Sequence, residues 1–208
     1  MRGCVRLSRL IALGLALALA GASVSAGPAP ARVVSINLCT DQLAMMLAAP
    51  GQLVSVSELA ADPHSSAMAR EARAYKANHG RAEEVYLLDP DLVLAGAYTD
   101  PATVGMLRRV GLRVVQFDTV KSLDDTRALI TKMARVLGHE EAGAALIAEF
   151  DVWLTRLRAG ETTHSAALYH PNGYSLGNGT LADDILRAAG FSNVARELGL
   201  RGGGTVPL

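Results

Sequence analysis

Two rhythms of apolar and polar positions divide the chain. In the first 120 residues the apolar positions gather in short β-branched runs. These are Arg32-Val-Val-Ser-Ile36, Leu53 to Ser57, Leu92 to Ala95 and Arg113-Val-Val-Gln-Phe117. Each run is bounded by turn-forming residues and predicts a strand. Helical segments lie between them. Asp41 to Leu47 predicts a short helix behind the loop Asn37-Leu-Cys-Thr-Asp41. A second helix opens at Asp100-Pro101, with the proline at its first position and the aspartate as its cap, and stops at Gly111. Between these lies NHGRAEEVYLLDPDLVLAG, Asn78 to Gly96: a polar loop, a short acidic helical segment, and an apolar strand behind Pro90-Asp91. Strands alternating with helices predict a parallel sheet covered on both faces.

The rhythm changes at Ser122, where Ser122-Leu-Asp-Asp125 resembles a capping box. Leu129, Ile130, Met133, Val136 and Leu137 then keep helical spacing, as do Leu146, Phe150, Trp153, Leu154 and Leu157. Gly138 interrupts them at mid-length. The pattern predicts one long kinked helix, or two nearly collinear ones, acting as a strut between two lobes. Beyond it, Ala166 to Tyr169 predicts a strand and Leu181 to Ala189 a helix ended by Gly190. One strand and one helix cannot bury a sheet face. The second lobe is therefore expected to be truncated. The fold class expected is α/β: two Rossmann-like lobes joined by one long helix, the second lobe incomplete. The lobes span 27–120 and 161–208, and the helix 121–160.

Residues 1–26 stand outside this pattern. Arg2, Arg6 and Arg9 precede the apolar LIALGLALALA, and small residues lead to a cleavage site after Ala26. That is the form of a signal peptide, with an uncleaved anchor as the alternative. Cys4 precedes the apolar stretch, which is the wrong place for lipid attachment. Cleavage leaves 17 of the 20 basic residues against 20 acidic ones, a net charge of −3. This argues against nucleic acid or an anionic membrane as partner. It also leaves Cys39 as the lone cysteine, so no intrachain disulfide can form.

Open α/β sheets bind ligands at the carboxyl ends of their strands. In the first lobe that rule selects Asn37, Cys39, Thr40 and Asp41, the Glu58–His64 segment, His79 and Tyr98. In the second it selects Tyr169, His170, Asn172, Tyr174 and Asn178. Aromatic rings beside hydrogen-bonding groups suit a large, flat, partly apolar ligand. Plainer roles compete. Asn37 and Asp41 equally suit helix capping, Cys39 a small half-buried residue, and Asp62-Pro63 a turn. The five histidines lack zinc-motif spacing, and no metal site is assigned. A catalytic Cys39 with His79 would make a secreted hydrolase, but no nucleophile elbow, phosphate loop or zinc protease motif accompanies it.

RVVSINLCTDQLAMMLA, LVSVS, AEEVYLLDPDLVLAG and LRRVGLRVVQFD, followed by the long helical stretch, together resemble the periplasmic binding proteins of ABC importers for vitamin B12 and iron-siderophores. GYSLGNGTLADDILRAAGFSN is similar to the start of that family's second lobe. The resemblance covers residues 32–208 and implies two lobes with the ligand between them. It implies a monomeric, non-enzymatic protein that hands a small metal chelate to an ABC importer permease. No cofactor is needed beyond the cobalt or iron the ligand carries. Free zinc or manganese, or heme, is the alternative cargo. It further implies that Glu83 docks on the permease, a role for which the alternative is a helix-terminal acid. Glu84 is read as a solvated acid of the same helix. The second-lobe docking partner is expected just beyond Val206-Pro207-Leu208.

Overall fold

The computed structural model describes residues 28–157 and 164–206. The leader 1–26, the end of the predicted strut at 158–160, and Pro207-Leu208 lie outside the described residues. The first lobe is built on β1 (Val33–Ser35), β2 (Leu53–Ser57), β3 (Lys76–Asn78), β4 (Leu92–Gly96) and β5 (Val114–Phe117). All pair in parallel, in the order β3-β2-β1-β4-β5. The helices between them are α1 (Leu38–Leu47), α2 (Ala69–Ala72), α3 (Ala82–Tyr86) and α4 (Pro101–Arg109).

Strand periodicity splits the core into two faces. In β4, Leu92 and Leu94 join α1 and the helix after β5 in one cluster, while Val93 and Ala95 join α3 and α4 in the other. β4 is buried along its whole length, as expected of a central parallel strand. Asp100 caps α4, accepting the Ala102 and Thr103 amide N–H groups, and Gly111 turns the chain at φ +90°.

The segment after β5 departs from the predicted strut. It forms α5 (Leu123–Leu137) and α6 (Glu140–Leu157), separated by Gly138 at φ +81°. Gly143 lies against Ala134, where a Cβ would sit 2.3 Å from the Ala134 Cβ. Farther along, Arg127 Nε donates to Asp151 at 2.8 Å, and its guanidinium lies 5.4 Å from the Phe150 ring centroid. Residue numbers rise on α6 as they fall on α5, so the two helices form an antiparallel hairpin rather than one collinear rod. The left-handed turn at Gly138 supplies the reversal. His139, expected on a strut, sits in this turn and hydrogen-bonds Gln52 at 3.0 Å.

The second lobe holds more than one strand and one helix. β6 (Ser165–Ala166) pairs in parallel with β8 (Ser192–Asn193), and β7 (Tyr174–Leu176) pairs antiparallel with β9 (Gly203–Thr205). The helices are α7 (Leu181–Ala188) and α8 (Val194–Glu197). The Leu123 amide donates to Asp184 on α7 at 2.8 Å, linking the start of the hairpin to this lobe. Among the described residues no helix is long and apolar enough to cross a membrane.

Candidate ligand-binding site

A five-stranded order of 3-2-1-4-5 has its switch point between β1 and β4, where successive crossovers leave in opposite directions. A cavity of about 440 Å³ opens there. Its walls come from the ends of β1 to β4: Asn37, Glu58, His79, Arg81, Tyr98 and Asp100. A second cavity of about 280 Å³ lies on the β5 side, walled by Cys39, Ala97, Phe117, Val120 and Leu129 among others. Asn37 and Tyr98 belong to both walls.

Each shared residue is placed by its backbone. Asn37 follows β1 directly and caps α1, its Oδ1 accepting the Cys39 N–H at 3.1 Å. Its side chain lies on Gly96, where a Cβ would come within 2.6 Å of the amide nitrogen, so glycine is needed at that strand end. Tyr98 projects from the turn after β4 with 87% of its surface exposed.

Below the cavity floor runs a buried polar network. Ser35 Oγ and Thr40 Oγ1 are 2.8 Å apart, and Asn78 Nδ2 donates to Ser35 O and Ser55 Oγ. Asp41 is wholly buried and accepts the Ser57 N–H at 3.2 Å and the Ser57 hydroxyl at 2.5 Å. Burial pushes the Asp41 carboxyl above the ordinary carboxylate range, against the opposing pull of its serine hydrogen bonds. The structure thus moves Asp41 from the predicted loop to the first turn of α1, facing inward. It ties α1 to the end of β2.

His79 is held at the rim. Glu84 accepts the His79 amide N–H at 2.8 Å and lies 3.2 Å from Nδ1, while Nε2 is 3.3 Å from Glu58. The His79 amide hydrogen bond lowers the Glu84 pKa below the usual range. Glu84 therefore does more than the solvated role expected of it: it fixes the loop that carries His79. Because Glu58 and Glu84 engage opposite ring nitrogens, the three groups do not converge on one point. Among the described residues no group of three His, Cys, Asp or Glu could hold a metal ion.

The structure brings Asn37, His79 and Tyr98 together in the larger cavity, and Asn37, Cys39, Thr40 and Tyr98 in the smaller. Cys39 is exposed rather than half-buried, because the first turn of α1 turns it to the surface. Of Glu58–His64, only Glu58 and Leu59 reach the larger cavity, and Asp62 makes the expected turn by accepting the His64 N–H. The second-lobe candidates line neither cavity. Tyr169 is exposed, and His170 packs edge-on against Tyr174 with centroids 6.2 Å apart. Asn172 occupies a left-handed turn at φ 63°, and the Asn178 carbonyl accepts the Gly202 N–H. Sequence reasoning missed Arg81, Phe117 and Leu129. Arg81 lies one residue beyond the loop it selected, and the other two read as core.

Glu83 projects from α3 into solvent, with no side-chain partner among the described residues. Beside it Ala82, Tyr86, Leu87, Met106 and Val110 line a shallow groove of about 240 Å³.

Residues 33–207 match the family described as periplasmic binding protein. A cobalamin-binding protein of Halobacterium salinarum is 30% identical over 174 residues, which cover 81% of this chain and 47% of that protein. The chain thus spans about half the length of the curated relatives it matches. A possible iron-binding (periplasmic solute-binding) protein from Staphylococcus epidermidis superposes with a TM-score of 0.71 at 18% identity, covering 86% of this chain and 72% of its own. The periplasmic heme-binding protein RhuT from Roseiflexus sp. RS-1 gives 0.67 at 22% identity, covering 85% and 70%.

Proposed function

The chain belongs to the periplasmic binding protein family, and from that premise we propose that it captures a corrinoid or ferric siderophore and delivers it to an ABC importer. The carrying observation is the open, two-part cavity at the β1/β4 switch point, whose walls mix charged, amide and aromatic groups. Such a lining suits a large chelate with apolar faces and polar edges. The ligand supplies its own metal, and the protein supplies shape and hydrogen bonds. The cobalamin-binding relative supports the corrinoid reading. Heme is the second reading, favoured by the fold shared with RhuT.

The family is one of binding proteins rather than enzymes, and a non-catalytic role here fits the site. Cys39 lines the smaller cavity and His79 the larger, with both ring nitrogens of His79 facing carboxylates. Division into lobes near residues 120 and 160, export by the leader at 1–26, and action as a periplasmic monomer belong to the same proposal. So does Glu83 as a permease contact, supported by its solvent-facing carboxylate, which has no partner among the described residues. Such contacts govern orientation and on-rate more than affinity.

Calorimetric titration with cobalamin, heme and ferric siderophores tests the cargo. Micromolar or tighter binding of a corrinoid or ferric siderophore is expected, and binding of heme alone would move the assignment to the second reading. Glu83→Ala is expected to slow association with the permease while ligand affinity stays within twofold. A loss of ligand binding would place Glu83 in the cleft instead.

A further inference from the structure

The two cavities differ in chemistry and meet at one ridge. The larger presents Glu58, His79, Arg81 and Asp100. The smaller is walled by Phe117, Leu129, Val120, Ala97, Cys39 and Tyr98. Asp118 and Thr119 also border it and are exposed, while its other polar groups are engaged. The Thr40 hydroxyl is engaged by Ser35 and by the Asn37 carbonyl, and Asn37 Oδ1 by the Cys39 amide. What the apolar side of this wall, Phe117, Val120, Leu129 and Ala97, can receive is hydrocarbon, because a polar group pressed against it would lose water without gaining a partner. The ridge between the chambers is Asn37, held against Gly96, with the exposed Tyr98 ring beside it. A ligand seated in the larger chamber reaches the smaller one by crossing that ridge.

We propose that the smaller chamber is a separate subsite for a neutral aromatic or aliphatic appendage projecting from the chelate. The ligand class is then a metal chelate that carries such an arm, as opposed to the bare macrocycle. The inference rests on the corrinoid reading above and adds to it a basis for selectivity. The ring of Phe117, buried beneath the chamber, offers an aromatic wall, and Tyr98 offers a second that is free to close over the arm.

Cys39 is a built-in reporter, because it lines the smaller chamber and not the larger. The full chain contains only one other thiol, Cys4, so alkylation by N-ethylmaleimide can be read at the Cys39 peptide by mass spectrometry. The probes are cobalamin and cobinamide, which share the corrin but differ in the nucleotide arm with its benzimidazole. Cobalamin is expected to bind about tenfold tighter than cobinamide, roughly the discrimination a filled apolar pocket provides. Cobalamin is expected to slow Cys39 alkylation severalfold, and cobinamide to leave it unchanged. Ala97→Phe, a substitution at an exposed loop position, narrows the chamber without entering the core. It should weaken cobalamin about tenfold and cobinamide less than twofold. Equal affinity for both probes, or equal protection of Cys39, overturns the subsite and leaves the corrinoid reading standing. Binding of neither corrinoid overturns both.

Discussion

Leu92, Val93, Leu94 and Ala95 are wholly buried in β4, whereas no residue of β6 or β9 is buried. The same contrast holds for helices. α5 buries Ile130, Met133, Ala134 and Leu137, but α7 buries only Asp183, leaving Ile185 exposed. The first lobe is therefore held by apolar area on two faces of one sheet. The second is held by a polar cluster in which Asp183 accepts from Asn193 Nδ2 and from Arg196 Nη1, each at 3.0 Å. Apolar burial in a packed core makes each large side chain costly to remove, because the space it leaves is not refilled. A polar cluster depends on every member being present, since a half-satisfied network costs more than an absent one. The two lobes should fail differently.

The largest effect is expected in the first lobe. Leu94→Ala removes a fully buried side chain from the central strand and should cost about 2–5 kcal/mol, the range for such truncations in packed cores. Chemical denaturation should report the loss, and hydrogen exchange should show faster opening throughout β1 to β5. A drop under about 1 kcal/mol would mean that this core is loosely packed. In the second lobe, Asp183→Leu should cost less, about 1–3 kcal/mol, because Arg196 is partly exposed and Asn193 keeps its bond to Leu176 O. Limited proteolysis should then cut within 164–206 and spare the first lobe. Cutting in both regions alike would show that the lobes unfold as one unit.

The same contrast governs what the sequence could reveal. β1, β2, β4 and β5 were legible because each holds a short run rich in valine or leucine bounded by turn-forming residues. β3 was not: Lys76-Ala-Asn78 is an edge strand with two exposed residues, and its buried side chain is an asparagine satisfied by Ser35 and Ser55. The hairpin of α5 and α6 was misread because helical spacing records each helix's face but not the angle between helices. Gly138 carried the signal, since a left-handed glycine reverses a chain. In the second lobe, strands of two or three residues such as Gly203-Gly-Thr205 have no periodicity to read. The strand-end rule selected Asn37, His79 and Tyr98, which the structure brings together at one cavity. It could not find Phe117 and Leu129, whose apolar character is the same in a chamber wall as in a core. Nor could it see that Glu84 would reach back five residues to His79, a contact that depends on the turn at Gly80 with φ +69°.

The smallest effect, and the finest test of the comparison, lies at Asp41. This carboxylate is a polar element inside the lobe otherwise held by apolar burial. Its folded pKa is raised, so the native state holds the proton more tightly than the unfolded chain does. Stability contributed by this group is present below the unfolded carboxylate value of about 3.9 and is lost as pH rises from there through the raised folded value. Above that window the protein carries a buried charge relieved only by serine hydrogen bonds. Asp41→Asn keeps an oxygen for the Ser57 N–H and presents an amide N–H to the Ser57 hydroxyl, while removing the charge. It is therefore expected to raise the melting temperature at neutral pH by a few degrees and to lessen the loss of stability as pH rises above the ordinary carboxylate value of about 3.9, as measured by calorimetry from acid to neutral pH. A lower melting temperature at pH 7 for Asp41→Asn would mean that the charged form is the one the native state favours. The floor of the cavity would then be organised by an ionised hydrogen-bond acceptor rather than by a carboxyl that burial tends to keep neutral.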